Sequence, residues 1–255
     1  LSAQIYNASG AAMGDRLIVP IHANASESQG SVAALADGGF VVTWHANFSG
    51  SNSLPTSGLY GQRFDASGNT VGSNFQINTR QNQRDHSLTS LADGGFVVTY
   101  SSEEGSTNNV RQEVFGQRFD STGNPVGSEF QINTYTSNNQ SYPSVASFPD
   151  GGFIVTWESQ SQDEDGSKGI YGQKYDANGA PDGGEFQINS ITHLTPYRID
   201  DQSAPSVITL ADGGFVVTWV SVNQVTSGQY DLYARRYDPR GAADGTEFLV
   251  KEGIS

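Results

Sequence analysis

The sequence predicts an all-β protein of the β-propeller type, with four four-stranded blades or, as the alternative count, five. Three observations favour this fold. A unit of roughly 57 residues recurs along the chain, as in propellers and other repeat proteins. Each unit holds four short segments with strand patterns. No segment shows the 3.6-residue periodicity of an amphipathic helix.

The repeat is clearest in a string in which Asp-Gly-Gly-Phe precedes Val-Val-Thr-Trp or a close variant. Its aspartates are Asp37, Asp93, Asp150 and Asp212, so successive copies lie 56, 57 and 62 residues apart. A second string, Leu-Tyr-Gly-Gln-Arg-Phe-Asp and then Phe-Gln-Ile-Asn in the first unit, follows each copy, and a weaker version opens the chain. We therefore divide one repeat domain, 1–255, into a half-unit (1–24) and four units (25–79, 80–134, 135–190 and 191–250).

Each unit starts with two strands, a and b, joined by the Asp-Gly-Gly string. This string predicts a tight hairpin turn, because glycine adopts positive φ angles without steric conflict. Strand c, of the Leu-Tyr-Gly-Gln-Arg-Phe type, alternates with period two, and strand d is the Phe-Gln-Ile-Asn segment that follows a glycine-containing loop. Four antiparallel strands per unit follow from this pattern.

Radial packing of these sheets hides the apolar surface that one sheet alone would expose. Strand b carries adjacent valines, such as Val41 and Val42, which predicts burial on both faces. A row of small sandwiches is the alternative, although such units are small for independent cores. The chain has four first halves and five second halves. A fifth blade would need another a and b pair, from sequence beyond Ser255 or from a second chain in a homodimer.

The charge of the chain bears on its partners. Asp and Glu number 27 against 13 Lys and Arg, which gives a formal net charge of −14. Such a field repels nucleic acid and anionic membrane surfaces, so we expect neither as a partner. There is no cysteine for disulfides or thiolate metal sites. No apolar stretch is long enough for a transmembrane helix, so we expect no membrane insertion.

Repeated charged residues most simply serve the fold of each unit. The turn aspartates can bond the backbone of their own turn. A second set of carboxylates ends strand c (Asp65, Asp120, Asp176 and Asp238), with a cation close before each (Arg63, Arg118, Lys174 and Arg235). We expect the second set to pair with its cations in a network at the strand end.

Aromatic residues at the end of strand b are the candidate ligand-binding residues. They are Trp44, Tyr100, Trp157 and Trp219. Core packing is one interpretation of these rings. In the other, they stack on sugar rings while nearby amides and carboxylates accept hydrogen bonds from the hydroxyls.

The loop after strand b of the third unit is the candidate metal site. Asp163 and Asp165 lie beside Glu164 and Gly166, a cluster of hard oxygen ligands of the kind that Ca²⁺ prefers. The run departs from a complete calcium-loop motif, and the other units lack it. A solvated acidic loop without Ca²⁺ is the alternative.

The sequence carries no catalytic motif. The four histidines do not recur at equivalent positions, and neither a metalloprotease His pair nor a serine nucleophile motif is present. Carboxylates are abundant, but no spacing singles out a glycosidase pair. We therefore expect a protein that is not an enzyme.

The strings Gln-Ser-x-Pro-Ser-Val (140–145 and 202–207), Asp-Gly-Gly-Phe-Val-Val-Thr-Trp and Glu-Phe-Gln-Ile-Asn resemble, as a set, tandem β repeats of large secreted bacterial proteins of the RTX and adhesin-like type. The resemblance covers essentially the whole chain and implies an extracellular or cell-surface location. The RTX calcium-binding nonapeptides themselves do not occur in this sequence.

The strand-end aromatics and this resemblance lead to one functional expectation. We expect a non-catalytic extracellular binding module, glycan-binding or adhesive, from a larger secreted or surface protein. A glycan or another cell-surface ligand would be its partner. Two alternatives stay open: a purely structural spacer, and a polysaccharide-acting hydrolase or lyase.

Overall fold

A computed structural model describes residues 1–19, 25–48, 57–80, 82–106, 109–163, 166–190, 201–222 and 228–254. All regular structure in these ranges is β. The described part of the chain holds no helix long and apolar enough to cross a membrane.

Four sheets of the protein have four antiparallel strands each, and the strands are hydrogen-bonded in sequence order. They form blades 1 to 4. Blade 1 contains β3 (Ala25–Ala34), β4 (Phe40–Phe48), β5 (Ser57–Phe64) and β6 (Thr70–Gln76); blade 2 contains β7 (Gln83–Ser90), β8 (Phe96–Ser106), β9 (Asn109–Phe119) and β10 (Pro125–Gln131). Blade 3 contains β11 (Gln140–Ser147), β12 (Phe153–Gln160), β13 (Lys168–Tyr175) and β14 (Phe186–Gln187); blade 4 contains β15 (Gln202–Thr209), β16 (Phe215–Val222), β17 (Tyr230–Tyr237) and β18 (Phe248–Lys251).

A fifth sheet has two strands only, β1 (Ser2–Tyr6) and β2 (Ala12–Ile18). It repeats the outer half of a blade in detail. The Gln4 amide donates to the Ile5, Met13 and Gly14 carbonyls, as Gln62 of blade 1 does to the Arg63, Val71 and Gly72 carbonyls. This sheet is therefore a pair of c and d strands without its a and b strands, and we call it the half-blade.

The Asp-Gly-Gly turns form the predicted hairpins. In blade 2, Asp93 Oδ1 accepts a hydrogen bond from the Gly95 amide at 2.9 Å, and Gly94 has a φ of 84°. The other three turns repeat this bond at 2.9 to 3.0 Å. Each turn is thus closed by its own aspartate, in the conformation that glycine favours.

The expected strand-end network is wrong in its pairing. In blades 1 and 2 the cation of strand c reaches across to the turn aspartate, Arg63 to Asp37 at 2.8 Å and Arg118 to Asp93 at 3.2 Å, whereas Lys174 of blade 3 pairs with Asp182 of its c–d loop. In blade 4 the cation is Arg236 instead of Arg235. The carboxylates at the end of strand c bond the backbone of their own loops, as Asp120 does with the Thr122 and Asn124 amides. The short side chain of aspartate reaches these local amides first.

Apolar side chains on both faces of strand b fill the space between blades. Val41 of blade 1 packs with Val98 and Tyr100 of blade 2 in one cluster. Val97 of blade 2 packs with Val155 and Trp157 of blade 3 in the next. The same arrangement joins blades 3 and 4, and Val19 of the half-blade enters the cluster of blade 1. Most of the hydrophobic core lies between the sheets.

Hydrogen bonds also join the a strands of neighbouring blades, which are the inner strands of the ring. The Ser87 hydroxyl accepts a bond from the Val145 amide at 3.3 Å, and the Ser144 hydroxyl accepts one from the Val207 amide at 3.2 Å. The a strands therefore pack side by side around the ring axis. An all-β propeller architecture with four complete blades is confirmed.

Candidate active site

The two ends of the blades differ in what they carry. The a–b turns and the c–d loops share one end, since Arg63 joins them through Asp37. We call it the turn end. Strand b ends and strand c begins at the other end, which we call the mouth. The start of each inner strand also lies at the mouth.

Each inner strand is bulged where it enters the ring. The register with strand b slips there in all four blades, and one residue in each bulge has a positive φ. These residues are Gln29, Asp85, Tyr142 and Ala204, with φ of 53°, 41°, 54° and 50°. A bulge re-aims the side chain at its apex. Here all four apices line one central cavity of about 370 Å³.

A second cavity of about 310 Å³ adjoins the central one, because Gln29, Asp85 and Tyr142 line both. Its remaining lining is polar and includes the Asn47 and Gln112 amides. The two cavities form one polar depression at the mouth. Amide, carboxylate and hydroxyl groups of this kind can bond the hydroxyls of a sugar.

Glu158 follows Trp157 directly on strand b, is only 4% exposed and lines neither cavity, but the charge of Asp85 in the depression acts on it. Lys168 Nζ lies 2.7 Å from Glu158 Oε1, and the Lys168 amide donates to Asp201 Oδ1 at 3.1 Å. Burial raises the pKa of Glu158; the bond and charge of Lys168 lower it, and the charges of Asp201 and Asp85 raise it again. The net effect raises the pKa of Glu158, with burial as the largest cause.

Asp85 also has a raised pKa. Burial is the main cause, opposed by the charge of Arg84 and by a hydrogen bond from Ser101. The charge of Asp85 is in turn the smallest of the causes that raise the pKa of Glu158. Carboxyls with raised pKa values in a cavity are typical of acid–base chemistry.

Two histidines complete the depression. His45 lies on strand b at the position equivalent to Glu158, and His86 follows Asp85; their ring centroids are 5.1 Å apart. Burial lowers the pKa of His45. Burial and the charge of His45 lower the pKa of His86 to about 3. Both imidazoles are therefore neutral at pH 7.

The predicted ligand-binding aromatics lie elsewhere. Trp44, Tyr100, Trp157 and Trp219 are each 0% exposed in the packing between blades. The Trp157 indole donates to Gln140 Oε1 at 3.2 Å. None of these rings offers a free face to a sugar, so the geometry favours the core interpretation. Tyr142, which is 48% exposed, is the aromatic residue among those that line the two cavities of the depression.

Asp163 of the candidate calcium loop is 7% exposed. Its Oδ1 accepts a hydrogen bond from the Tyr171 hydroxyl at 2.6 Å. The carboxylate packs over Gly169, where a Cβ atom would collide with it. Asp165 lies outside the described residues. Within the described ranges no three His, Cys, Asp or Glu side chains are placed to hold a metal ion. Calcium binding stays a prediction.

The sequence interpretation missed Asp85 and Glu158, although the units carry a signal. At the bulge the aligned residues are Gln, Asp, Tyr and Ala, while the serine two positions later recurs in all four units. After the strand b aromatic they are His45, Ser101, Glu158 and Val220. Residues that differ at equivalent positions of one scaffold are not required by the fold of every unit.

Comparisons with known proteins support the architecture. No protein-family model and no curated protein sequence matches the chain. Among solved structures, a Dyadobacter fermentans protein of unknown function is similar with a TM-score of 0.62 at 11% identity, over 89% of this chain and 69% of that one. A B. megaterium levansucrase has a TM-score of 0.53 at 11% identity, over 98% and 74% of the two chains. A Penicillium chrysogenum α-L-arabinanase has a TM-score of 0.57 at 15% identity, over 86% and 65%.

These similarities correct the functional expectation. The interpretation as a non-catalytic binding or adhesive module, and with it the expectation that the protein is not an enzyme, is contradicted because the fold is shared with enzymes that act on glycans. At such low identity the likeness shows the fold alone. The sequence singled out no carboxylate pair, because carboxylates are abundant along the chain and Asp85 and Glu158 belong to different blades.

Proposed function

We propose that the protein is a glycan-acting hydrolase whose active site is the depression at the mouth, with Asp85 and Glu158 as its two carboxyl groups. One observation carries the proposal. Asp85, a partly buried carboxyl that lines the polar cavity on the ring axis, acts through its charge on the buried Glu158 of the next blade, and both carboxyls have raised pKa values. The shared fold with glycan-acting enzymes supports it.

Each carboxyl has a role that its surroundings favour. Glycoside hydrolysis needs one carboxylic acid that protonates the leaving oxygen and one carboxylate on the other side of the bond. Glu158, more buried and near two other carboxylates, is the proton donor. Asp85 faces the cavity and receives a hydrogen bond from Ser101, so it is the carboxylate that attacks or activates water.

Substrate contacts come from the rest of the depression. Tyr142 offers an exposed ring that can stack on a sugar, and Gln29, Asn47 and Gln112 offer amides to its hydroxyls. The neutral imidazoles of His45 and His86 add hydrogen-bonding capacity without positive charge. Such a surface fits a neutral or weakly charged polysaccharide.

The test is a screen of soluble polysaccharides, fructans and arabinans included, with release of reducing ends as the signal. Asp85→Asn and Glu158→Gln should each lower kcat on any substrate found by about 10²-fold to 10⁴-fold. Asp93→Asn, a turn-end change in the same blade, is the matched control and should leave kcat unchanged.

Two results would reject the proposal: no release of reducing ends from any polysaccharide, or variants of Asp85 and Glu158 as active as the wild type. Unsaturated products would indicate a lyase instead of a hydrolase. Melting curves of all variants separate a lost active site from a lost fold.

A further inference from the structure

Among the described residues, the ring has a gap between blade 4 and blade 1, on the inner side of the half-blade. Three surfaces border it. They are the outward face of blade 4, the inner part of blade 1 that the half-blade leaves uncovered, and the edge of β1. Within the described ranges, strand β1 pairs with β2 alone, whereas the equivalent strand c of each complete blade pairs on both sides.

The wall on blade 4 is apolar and lacks its usual cover. Val250 is 49% exposed, whereas the equivalent Ile77, Ile132 and Ile188 are 4%, 2% and 0% exposed. Leu232 and Val216 are partly exposed, although their equivalents in the other three blades are fully buried. On the inner strand, Ile208 is 59% exposed. In blades 1 to 3 this face is covered by the following blade.

The wall on blade 1 likewise exposes apolar residues whose equivalents in the other blades are buried. Val32 is 63% exposed, whereas the equivalent Leu88, Val145 and Val207 are 8%, 6% and 5% exposed. Phe40 and Val42 line an apolar cavity of about 370 Å³ together with Leu1, Ala3 and Ile5 of the half-blade. In blade 2 the residues equivalent to Phe40 and Val42 are Phe96 and Val98, both 0% exposed against the inner strands of blade 1.

We propose that this gap binds a β-hairpin with the sequence pattern of the repeat's first half, which completes a fifth blade. Strand b of the hairpin would pair with β1. One face of the hairpin would cover Val32 and Phe40, and the other would cover Ile208 and Val216. The interface is the one already formed three times between complete blades, which defines the occupant's orientation and its alternating apolar residues.

The count of halves argues against an identical copy of the 255 residues as the donor. The chain has four first halves, and all four are paired within their own blades as β3–β4, β7–β8, β11–β12 and β15–β16. A second copy could supply a hairpin only by breaking one of its own blades. The fitting occupant is therefore an additional first-half hairpin.

The experiment adds this hairpin to the intact chain. A copy of residues 138–160 follows Ser255, which reproduces the connection between blades 2 and 3. The chain has no cysteine, so Ile208→Cys provides a single thiol on one wall of the gap, and Val32→Cys provides one on the other. The rate of maleimide labelling then reports coverage of each wall.

With the hairpin present, both thiols should label at least about tenfold more slowly, because a buried thiol reacts only when the interface opens. The melting temperature should rise by about 5 °C or more. The matched control carries Val155→Asp within the appended copy only, which places a charge in the interface and should restore fast labelling.

Equal labelling with and without the hairpin would overturn the proposal. So would protection of Ile208→Cys in the unextended chain that grows with protein concentration together with a dimer in sedimentation, since a second copy would then fill the gap.

Discussion

The turn end and the mouth of the ring are built from the same strands but follow opposite rules. At the turn end every blade has the same aspartate bond to a glycine amide. At the mouth the equivalent positions hold different side chains, and the groups with raised carboxyl or lowered histidine pKa values gather there. Within one chain, repetition marks the residues that the fold requires, and its interruption marks those available for chemistry.

The largest effect on stability should come from the turn end. A Cβ on Gly152 would lie 2.5 Å from the Tyr175 carbonyl oxygen, so Gly152→Ala must displace backbone. We expect a loss of about 2–3 kcal/mol in the free energy of unfolding, measured by denaturant titration. The control is Tyr142→Ala at the mouth of the same blade, which should change stability by less than about 0.5 kcal/mol. Equal losses would abolish the distinction between the ends.

Acid should affect the two ends in separate pH windows. His86 has a pKa of about 3 in the folded protein. Below pH 6.5 this histidine is therefore protonated in the unfolded chain but stays neutral in the native state. Stability therefore falls as the pH is lowered from 7 to 5, with a contribution on the order of 2 kcal/mol from this group. In His86→Gln the fall should be smaller, and His45 accounts for part of the remainder.

Asp120 at the turn end titrates at a lower pH than the histidines at the mouth. Its bonds within the c–d loop, that from the Thr122 side chain above all, lower its pKa to about 2. Its stabilising effect is present above pH 3.8 and is lost as the pH falls towards 2. Melting temperatures of wild type, His86→Gln and Asp120→Asn across both windows check this order. An unchanged slope between pH 7 and 5 in His86→Gln would contradict it.

The smallest effect concerns the pH profile of activity and rests on the proposed function. Strand β13 carries one lysine near each end: Lys168 bonds Glu158 at the mouth, and Lys174 pairs with Asp182 at the turn end. Removing Lys168 raises the pKa of Glu158 further, so the alkaline limb in Lys168→Gln should move up by about one pH unit. Lys174→Gln should leave it in place. If the alkaline limb moved in both lysine variants, or in neither, Glu158 would not be the proton donor.

The sequence predicted the fold well because the fold is local and repeated. Asp-Gly-Gly defines the a–b turn by its own chemistry, and alternation defines strands c and d. The surplus half-unit was also visible, and the structure shows it as β1 and β2. The pairing of Arg63 with Asp37 was missed because the two residues are 26 positions apart and meet only through strand register.

The site was less predictable for two physical reasons. The alternation of strand b shows which residues share a face, but not whether that face meets solvent or another sheet, so Trp44 and its equivalents could be taken for ligand-binding rings. The bulge that aims Asp85 at the axis depends on a register slip between Arg84 and His86. The residue type does not predict that slip, because residues as different as Asp85, Tyr142 and Ala204 adopt the same backbone conformation there.

The four bulges have an evolutionary consequence. A chain that grows by duplication of one unit inherits an identical axial position in every copy, with its backbone already held by the neighbouring strands. Each copy can then carry a different side chain there, as Gln29, Asp85, Tyr142 and Ala204 show, on the same backbone conformation. New chemistry can thus arise without a new fold.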